Sequence, residues 1–166
     1  MRIAITDANI FIDLIELRLI NYLFQIDLDI HTTQEVLEEL LDEQQELLQA
    51  FQDKKELTIN VLTDEERQAI LEMKVNRGFS DADKTLLFIG QSSEMLLLTG
   101  ERLMRNYFRK QGMEVRGIIW LFDKFVEKEL CSPAVAIEKM EELLIMNPRL
   151  PKDECDKRLK DWKSKL

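Results

Sequence analysis

The chain has 166 residues, close to the size of one domain, and its hydrophobic content of 45% is enough for a sizeable core. Its net charge of −9 argues against general electrostatic attraction to nucleic acid, although a local basic strip remains compatible with it. No stretch approaches the roughly 20 apolar residues of a membrane span, and Cys131 and Cys155 lack the spacing of a zinc site. We therefore expect a cytoplasmic protein with no membrane partner and no zinc.

The hydrophobic pattern predicts strands that alternate with helices along the chain. The predicted strands cover residues 2–6, 28–31, 57–62, 95–98 and 113–115. The predicted helices cover residues 9–16, 19–24, 33–51, 63–78, a segment capped by Ser80, 103–110, 118–128, 133–146 and 152–162. This alternation is typical of a three-layer α/β/α fold with a central parallel sheet. No linker composition divides the chain, so we predict one domain over 1–166 with 117–166 as a C-terminal helical extension.

Four acidic residues stand where a predicted strand ends or a predicted helix begins: Asp7, Glu39, Asp83 and Glu101. The carboxyl ends of parallel strands share one crevice, so these side chains are expected to converge there. Carboxylates in one crevice repel each other unless a cation holds them together. The sequence therefore predicts a divalent metal site and phosphodiester chemistry.

Each acidic residue also has a purely structural explanation. Asp7 could cap the helix that follows it, and Asp83 could stabilise a helix N-terminus. Glu101 could simply stand at a helix start after an ordinary strand and turn. Glu35, Glu38 or Glu39 could each be the residue of this helix that faces the site, and a run of charged residues on a helix is usually solvated. The functional interpretation therefore depends on all four residues together.

A basic strip follows the last of these acids. It contains Arg102, Arg105, Arg109 and Lys110, with Arg116 as a weaker candidate. Guanidinium and ammonium groups contact phosphate oxygens in nucleic-acid complexes. We therefore predict that this strip contacts the phosphates of a nucleic-acid substrate.

Four segments carry a resemblance to a known family: ITDANIFIDL, HTTQEVLEELL, GFSDADKTLL and LLLTGERLMR. In order and spacing they resemble the conserved blocks of the PIN-domain family, including its VapC-like ribonucleases. The resemblance spans nearly the whole chain. From Gly117 onward, the sequence is similar to a bacterial and archaeal PIN subgroup with added C-terminal helices.

The resemblance implies a PIN-like, Rossmann-like fold and a metal-dependent ribonuclease that acts on single-stranded RNA with Mg²⁺ or Mn²⁺. The family's metal-binding and catalytic acids fall on Asp7, Glu39, Asp83 and Glu101. Asn9 and Thr99 match supporting polar positions of the site. The resemblance further implies the toxin role of a toxin–antitoxin pair, a basic antitoxin partner and a homodimer.

Two positions depart from the family pattern. Ala8 replaces the usual hydroxyl residue after the first acid, which removes one potential hydrogen bond. Glu101 replaces the commoner Asp or Asn, and its longer side chain changes the reach to a metal. These departures favour an alternative, a catalytically weakened PIN-like module that binds RNA or protein. A phosphatase or nucleotide-processing enzyme would need a glycine-rich phosphate loop, which the five scattered glycines do not form.

Overall fold

A computed structural model describes residues 1–75, 77–91 and 94–166. The strands are β1 Arg2–Thr6, β2 Leu28–Thr33, β3 Leu57–Asn60, β4 Leu96–Leu98 and β5 Val115–Arg116. The first helices are α1 Ala8–Glu16, α2 Ile20–Leu23, α3 Gln34–Glu38, α4 Asp42–Asp53 and α5 Asp64–Leu71. The remaining helices are α6 Asp81–Gln91, α7 Arg102–Lys110, α8 Ile118–Glu127, α9 Pro133–Met146 and α10 Lys152–Ser164.

The five strands form one parallel sheet in the order β3-β2-β1-β4-β5. The chain moves outward from β1 through β2 to β3, and then returns to the other side of β1 with β4 and β5. Ile5 pairs with Leu97 of β4 and with His31 of β2, so β1 is the central strand. In such sheets the crevice lies where the strand order reverses, at the carboxyl ends of β1 and β4. This architecture confirms the predicted three-layer α/β/α fold.

The core consists of the sheet and the apolar sides of the helices that cover it. Residues Leu96–Leu98 are fully apolar and buried, as a central parallel strand requires. Phe11 of α1, Phe108 of α7 and Phe122 of α8 are among the largest fully buried side chains. The candidate site lies at the carboxyl edge of this buried sheet.

The helix predicted over residues 33–51 is wrong, because the chain forms two helices with a break between them. Thr33 caps α3 as expected, but Leu41 adopts an extended backbone and precedes α4. The side chain of Gln44 accepts a hydrogen bond of 2.9 Å from the Leu41 N–H, which stabilises the new helix start. As a result, Leu41 is 60% exposed instead of lying on a continuous apolar face.

The predicted end of the next helix at Gly78 is also wrong. Thr63 and Glu66 form the expected capping box, but α5 ends at Leu71 with Glu72 as its C-cap. Beyond it, Met73 and Val75 are half-buried and pack against the core. The helix therefore ends before Gly78, because Met73 and Val75 leave the helical path to pack against the core.

The three C-terminal helices pack against one another, and Phe125 of α8 packs against Tyr22 of α2. The rings of Phe122 and Trp162 stack with centroids 6.2 Å apart, and Arg158 forms an ion pair with Asp123. The division into a sheet domain and an extension over 117–166 stays a prediction. Within the described ranges, no helix combines the length and apolar content of a bilayer span.

Candidate metal centre

Asp7 stands at the carboxyl end of the central strand and is the N-cap of α1. Its Oδ1 accepts a hydrogen bond of 2.7 Å from the Ala8 N–H, and its Oδ2 accepts one of 2.7 Å from the Thr99 hydroxyl. Its own N–H donates to the carbonyl of Leu98 on β4. The side chain is only 2% exposed, so Asp7 is held in one position by two neighbouring strand ends.

Asp83 lies in the first turn of α6 and is also buried. Its Oδ2 accepts a hydrogen bond of 2.9 Å from the Ser80 N–H, and its N–H donates to Ser80 Oγ at 3.1 Å. This reciprocal pair is a capping arrangement that satisfies two backbone groups at the helix start. The capping role predicted for Asp83 is therefore real, and the same contact fixes the carboxylate at the crevice.

Glu101 is the N-cap of α7 and lies three residues after the end of β4. Its N–H donates to Thr99 Oγ1 at 3.2 Å, and the Gly100 N–H donates to Asn9 Oδ1 at 3.2 Å. A Cβ at position 100 would lie 3.3 Å from Asn9 Nδ2, so the Asn9 side chain would have to shift slightly to admit one. Asn9 and Thr99 therefore hold the loop that presents Glu101.

One carboxylate oxygen each from Asp7, Asp83 and Glu101 lies within 4.8 Å of the other two, and we call these three residues the acidic triad. Glu39 is next to the acidic triad without belonging to it. It is the C-cap of α3, and Ser80 Oγ donates to its Oε1 at 3.4 Å. The structure thus brings three of the four predicted acids together and places the fourth beside them.

The electrostatics of the acidic triad show the strain of crowded carboxylates. Burial raises the pKa of Asp7 to about 6, against the opposing effect of its hydrogen bonds to Thr99 and Ala8. Burial, together with the charges of Asp7, Asp83 and Glu39, raises the pKa of Glu101 to about 7. Burial and the charge of Asp83 also raise the pKa of Glu39. A divalent cation would relieve this repulsion by favouring the ionised forms.

The donor set decides which ion would fit. The acidic triad offers carboxylate oxygens alone, with no imidazole and no thiolate. Oxygen donors are preferred by Mg²⁺ and Mn²⁺, whereas zinc sites rely on sulfur and nitrogen donors. The residues present therefore fit a hard divalent cation.

A groove of about 940 Å³ begins at Glu101 and runs between α7 and the C-terminal helices, and we call it the arginine groove. Its lining contains six arginines, namely Arg102, Arg105, Arg109, Arg116, Arg149 and Arg158. Lys110 of the predicted basic strip lies outside this lining. The sequence interpretation missed Arg149 and Arg158, although the two prolines that flank Arg149 indicated a fixed loop.

A second groove, of about 700 Å³, lies among α3, α5 and the start of α6, and we call it the acidic groove. Glu35, Glu38 and Glu39 line it together with Ser80 of the α6 cap. Arg67 forms an ion pair with Glu35 at 3.2 Å and is the basic residue of this lining. The groove that contains Glu101 is therefore mainly basic, and the groove that contains Glu39 is mainly acidic.

Comparison with known proteins gives one family match. The profile of the family described as DUF3368: PIN domain matches residues 3–164, which is nearly the whole chain and includes the C-terminal helices. No curated protein matches the sequence significantly.

Proposed function

This chain belongs to the PIN-domain family, and from that premise we propose that it is a metal-dependent ribonuclease acting on single-stranded RNA. The observation that supports the proposal most directly is the acidic triad, in which Asp7, Asp83 and Glu101 come from three separate segments yet lie within 4.8 Å. Nothing in local secondary structure requires three carboxylates to meet. Their approach costs free energy unless a cation is bound.

Asp7, Asp83 and Glu101 would hold Mg²⁺ or Mn²⁺. When bound, the ion lowers the pKa of a coordinated water and stabilises charge on the phosphate. Thr99 orients Asp7 through its hydroxyl and orients Glu101 through the bond from the Glu101 N–H. Glu39 stands beside the acidic triad with a raised pKa, so it is suited to accept a proton from the attacking water.

The direct test is cleavage of a labelled pool of single-stranded RNA with Mg²⁺ or Mn²⁺. The variants Asp7→Asn and Asp83→Asn should abolish cleavage while remaining folded by circular dichroism. Asp81→Asn removes an exposed carboxylate from the same first turn of α6 and should leave cleavage unchanged. Cleavage that persists in Asp7→Asn and Asp83→Asn would assign the activity to another protein in the preparation.

For the toxin role we propose that a basic antitoxin segment binds in the acidic groove and blocks the site. Its support is the row of carboxylates at Glu35, Glu38 and Glu39, adjoining the 74% exposed side chain of Leu71. A synthetic amphipathic peptide rich in lysine and arginine should inhibit RNA cleavage. Glu38→Gln should weaken that inhibition, and the same loss of inhibition at a distant carboxylate such as Glu138→Gln would contradict the assignment.

We also propose a homodimer, supported by two adjacent hydrophobic side chains that remain exposed, Ile145 and Met146 at 84% and 40%. Exposed apolar residues that lie together mark protein interfaces. Light scattering should give twice the chain mass of 19.6 kDa. Ile145→Lys should return the monomer mass, and a monomer at every concentration would rule the dimer out.

The alternative is a PIN-like module that binds RNA or protein without cleaving RNA. Ala8 and Glu101 favour it as departures from the family pattern. Two observations count against it. The Ala8 backbone N–H already donates to Asp7, and the longer side chain of Glu101 still approaches Asp7 and Asp83. RNA binding with intact Mn²⁺ affinity and no cleavage would support the alternative.

A further inference from the structure

The arginine groove has two walls that come from distant parts of the sequence. One wall is α7, which begins directly after Glu101. The other is the connection between α9 and α10, residues 147–151, together with Glu154 and Arg158 of α10. The groove therefore extends from Glu101, at the site of the proposed chemistry, along α7, where it could hold a long substrate.

Most of the positive charge in the arginine groove is not neutralised by the protein. Among the described residues, no ion pair is formed by Arg102, Arg105, Arg109 or Arg149. The other two arginines are paired, Arg116 with Glu114 and Arg158 with Asp123. Burial, followed by the charges of Arg109 and Arg102, lowers the pKa of Arg105, as expected for guanidinium groups that crowd one another. In a chain with a net charge of −9, such a concentration of unpaired arginines indicates an anionic ligand.

Arg149 is presented by a connection with little freedom. Pro148 and Pro151 flank it, and its N–H donates to the side chain of Asn147 at 3.3 Å. Leu150 is half-buried and packs against the core. Proline and the buried anchor restrict the backbone, so Arg149 is held at the groove and loses less entropy when it binds a ligand.

Trp120 supplies an aromatic surface in the same groove. Its ring is half-buried, and the side chains of Arg116 and Lys124 lie over it, 5.9 Å and 5.4 Å from its centroid, so a base would stack on it in place of one of these cations. Arginines that follow a backbone, beside an aromatic ring on which a base stacks, are the combination used to bind single-stranded nucleic acid. An acidic peptide would explain the arginines but would leave the tryptophan unused.

We propose that the arginine groove binds single-stranded RNA on one side of the acidic triad, with phosphates at the unpaired arginines and a base on Trp120. The acidic groove beside Glu39 repels a phosphate backbone, so the protein binds the RNA strand in the arginine groove and not in the acidic groove. The identity of the ligand as RNA rests on the proposed ribonuclease function.

The test is a titration of a fluorescein-labelled 12-nucleotide RNA in EDTA, which prevents metal-dependent cleavage. Arg149→Gln should weaken binding about threefold or more and reduce the slope of log K against log salt by about 0.7. Lys160→Gln removes one exposed positive charge from α10 outside the arginine groove and should change neither. Trp120→Leu should weaken binding about fivefold or more, with Trp120→Phe in between.

Intrinsic fluorescence gives an independent readout, since the second tryptophan, Trp162, is buried in the core. RNA should quench the emission of the natural chain, and Trp120→Phe should abolish the quenching. Absence of RNA binding, equal losses for Arg149→Gln and Lys160→Gln, or equally tight binding of duplex RNA or polyglutamate would overturn the proposal.

The two proposals fail in different ways. If RNA is cleaved but the arginine groove variants cleave and bind like the natural chain, the groove assignment is wrong and the nuclease stands. If RNA binds through Arg149 and Trp120 but is never cleaved, the groove assignment stands and the nuclease is wrong.

Discussion

The hydroxyl of Thr99 donates a hydrogen bond of 2.7 Å to Oδ2 of Asp7, and both side chains are buried. This bond joins the carboxyl ends of β4 and β1, the two strands at which the order of the sheet reverses. The same hydroxyl oxygen accepts from the Glu101 N–H. One short polar side chain therefore connects two members of the acidic triad, Asp7 and Glu101.

Thr99→Val should impair catalysis while preserving the shape of the side chain. The hydrogen bond from Thr99 favours the ionised form of Asp7. Without it, the Asp7 pKa should rise further above its ordinary value. The acidic limb of the kcat/KM profile should therefore move to higher pH, and kcat/KM should fall about tenfold. Thr99→Ser keeps the hydroxyl and should restore both, whereas a profile unchanged by Thr99→Val would contradict this role.

Asp7→Asn should stabilise the metal-free protein at neutral pH. The folded pKa of about 6 exceeds the ordinary 3.8, so stability from the protonated carboxyl is complete below about 3.8 and is lost as pH rises through about 6. At pH 7.5 ionised Asp7 should cost up to about 3 kcal/mol, at about 1.4 kcal/mol per unit. Asparagine can still accept from the Ala8 N–H, so the variant removes charge without removing this contact.

The measurement is urea unfolding in EDTA of the natural chain and Asp7→Asn. The gain in the free energy of unfolding should be present at pH 7.5 and should shrink at pH 4.5. With Mn²⁺ added at pH 7.5 the order should reverse, because the natural chain alone retains the full set of ligands. If the natural chain and Asp7→Asn have equal free energies of unfolding at both pH values, the ionised Asp7 carboxylate does not destabilise the metal-free protein.

Asp83→Asn and Asp81→Asn form a matched pair in the first turn of α6. Both remove one negative charge from a helix N-terminus, and asparagine at position 83 can still accept from the Ser80 N–H. Asp83 belongs to the acidic triad and Asp81 is exposed, so only Asp83→Asn should weaken Mn²⁺ binding, by about tenfold or more. Calorimetric titration measures the Mn²⁺ affinity of each variant. Equal losses of affinity would mean that Asp83 acts through its negative charge alone and is not a metal ligand.

Much of the sheet and of the acidic triad could be predicted from the sequence because strand ends are marked locally. Thr6–Asp7 and Thr99–Gly100 follow continuous buried runs, and parallel strands bring such ends to one edge. The capping pattern at Ser80 likewise fixed the start of α6, which carries Asp83.

Other features depend on contacts that sequence periodicity does not encode. The apolar residues on both sides of Leu41 fit one helix, and only the side chain of Gln44 at its N–H marks the break. This break ends α3 at Glu38 and leaves Glu39 as a C-cap beside the acidic triad instead of a member of a long helix. Arg149 was missed for a similar reason, since its approach to α7 depends on how α9 and α10 pack.

Glu39→Gln should lower kcat more than it lowers metal affinity. Glu39 lies beside the acidic triad, linked to it through Ser80, so it is placed to act on the attacking water without being a principal ligand. We expect a fall in kcat of about tenfold to a hundredfold, typical of a lost general base, with Mn²⁺ affinity changed less than about threefold.

Glu38→Gln is the control for Glu39→Gln, because Glu38 is exposed, adjoins the same groove and carries the same charge. It should leave both kcat and Mn²⁺ affinity unchanged. Single-turnover cleavage and calorimetry separate the two quantities. If Glu39→Gln instead lowers metal affinity as strongly as Asp83→Asn does, Glu39 is a ligand of the metal centre, and the proton must be accepted by another group.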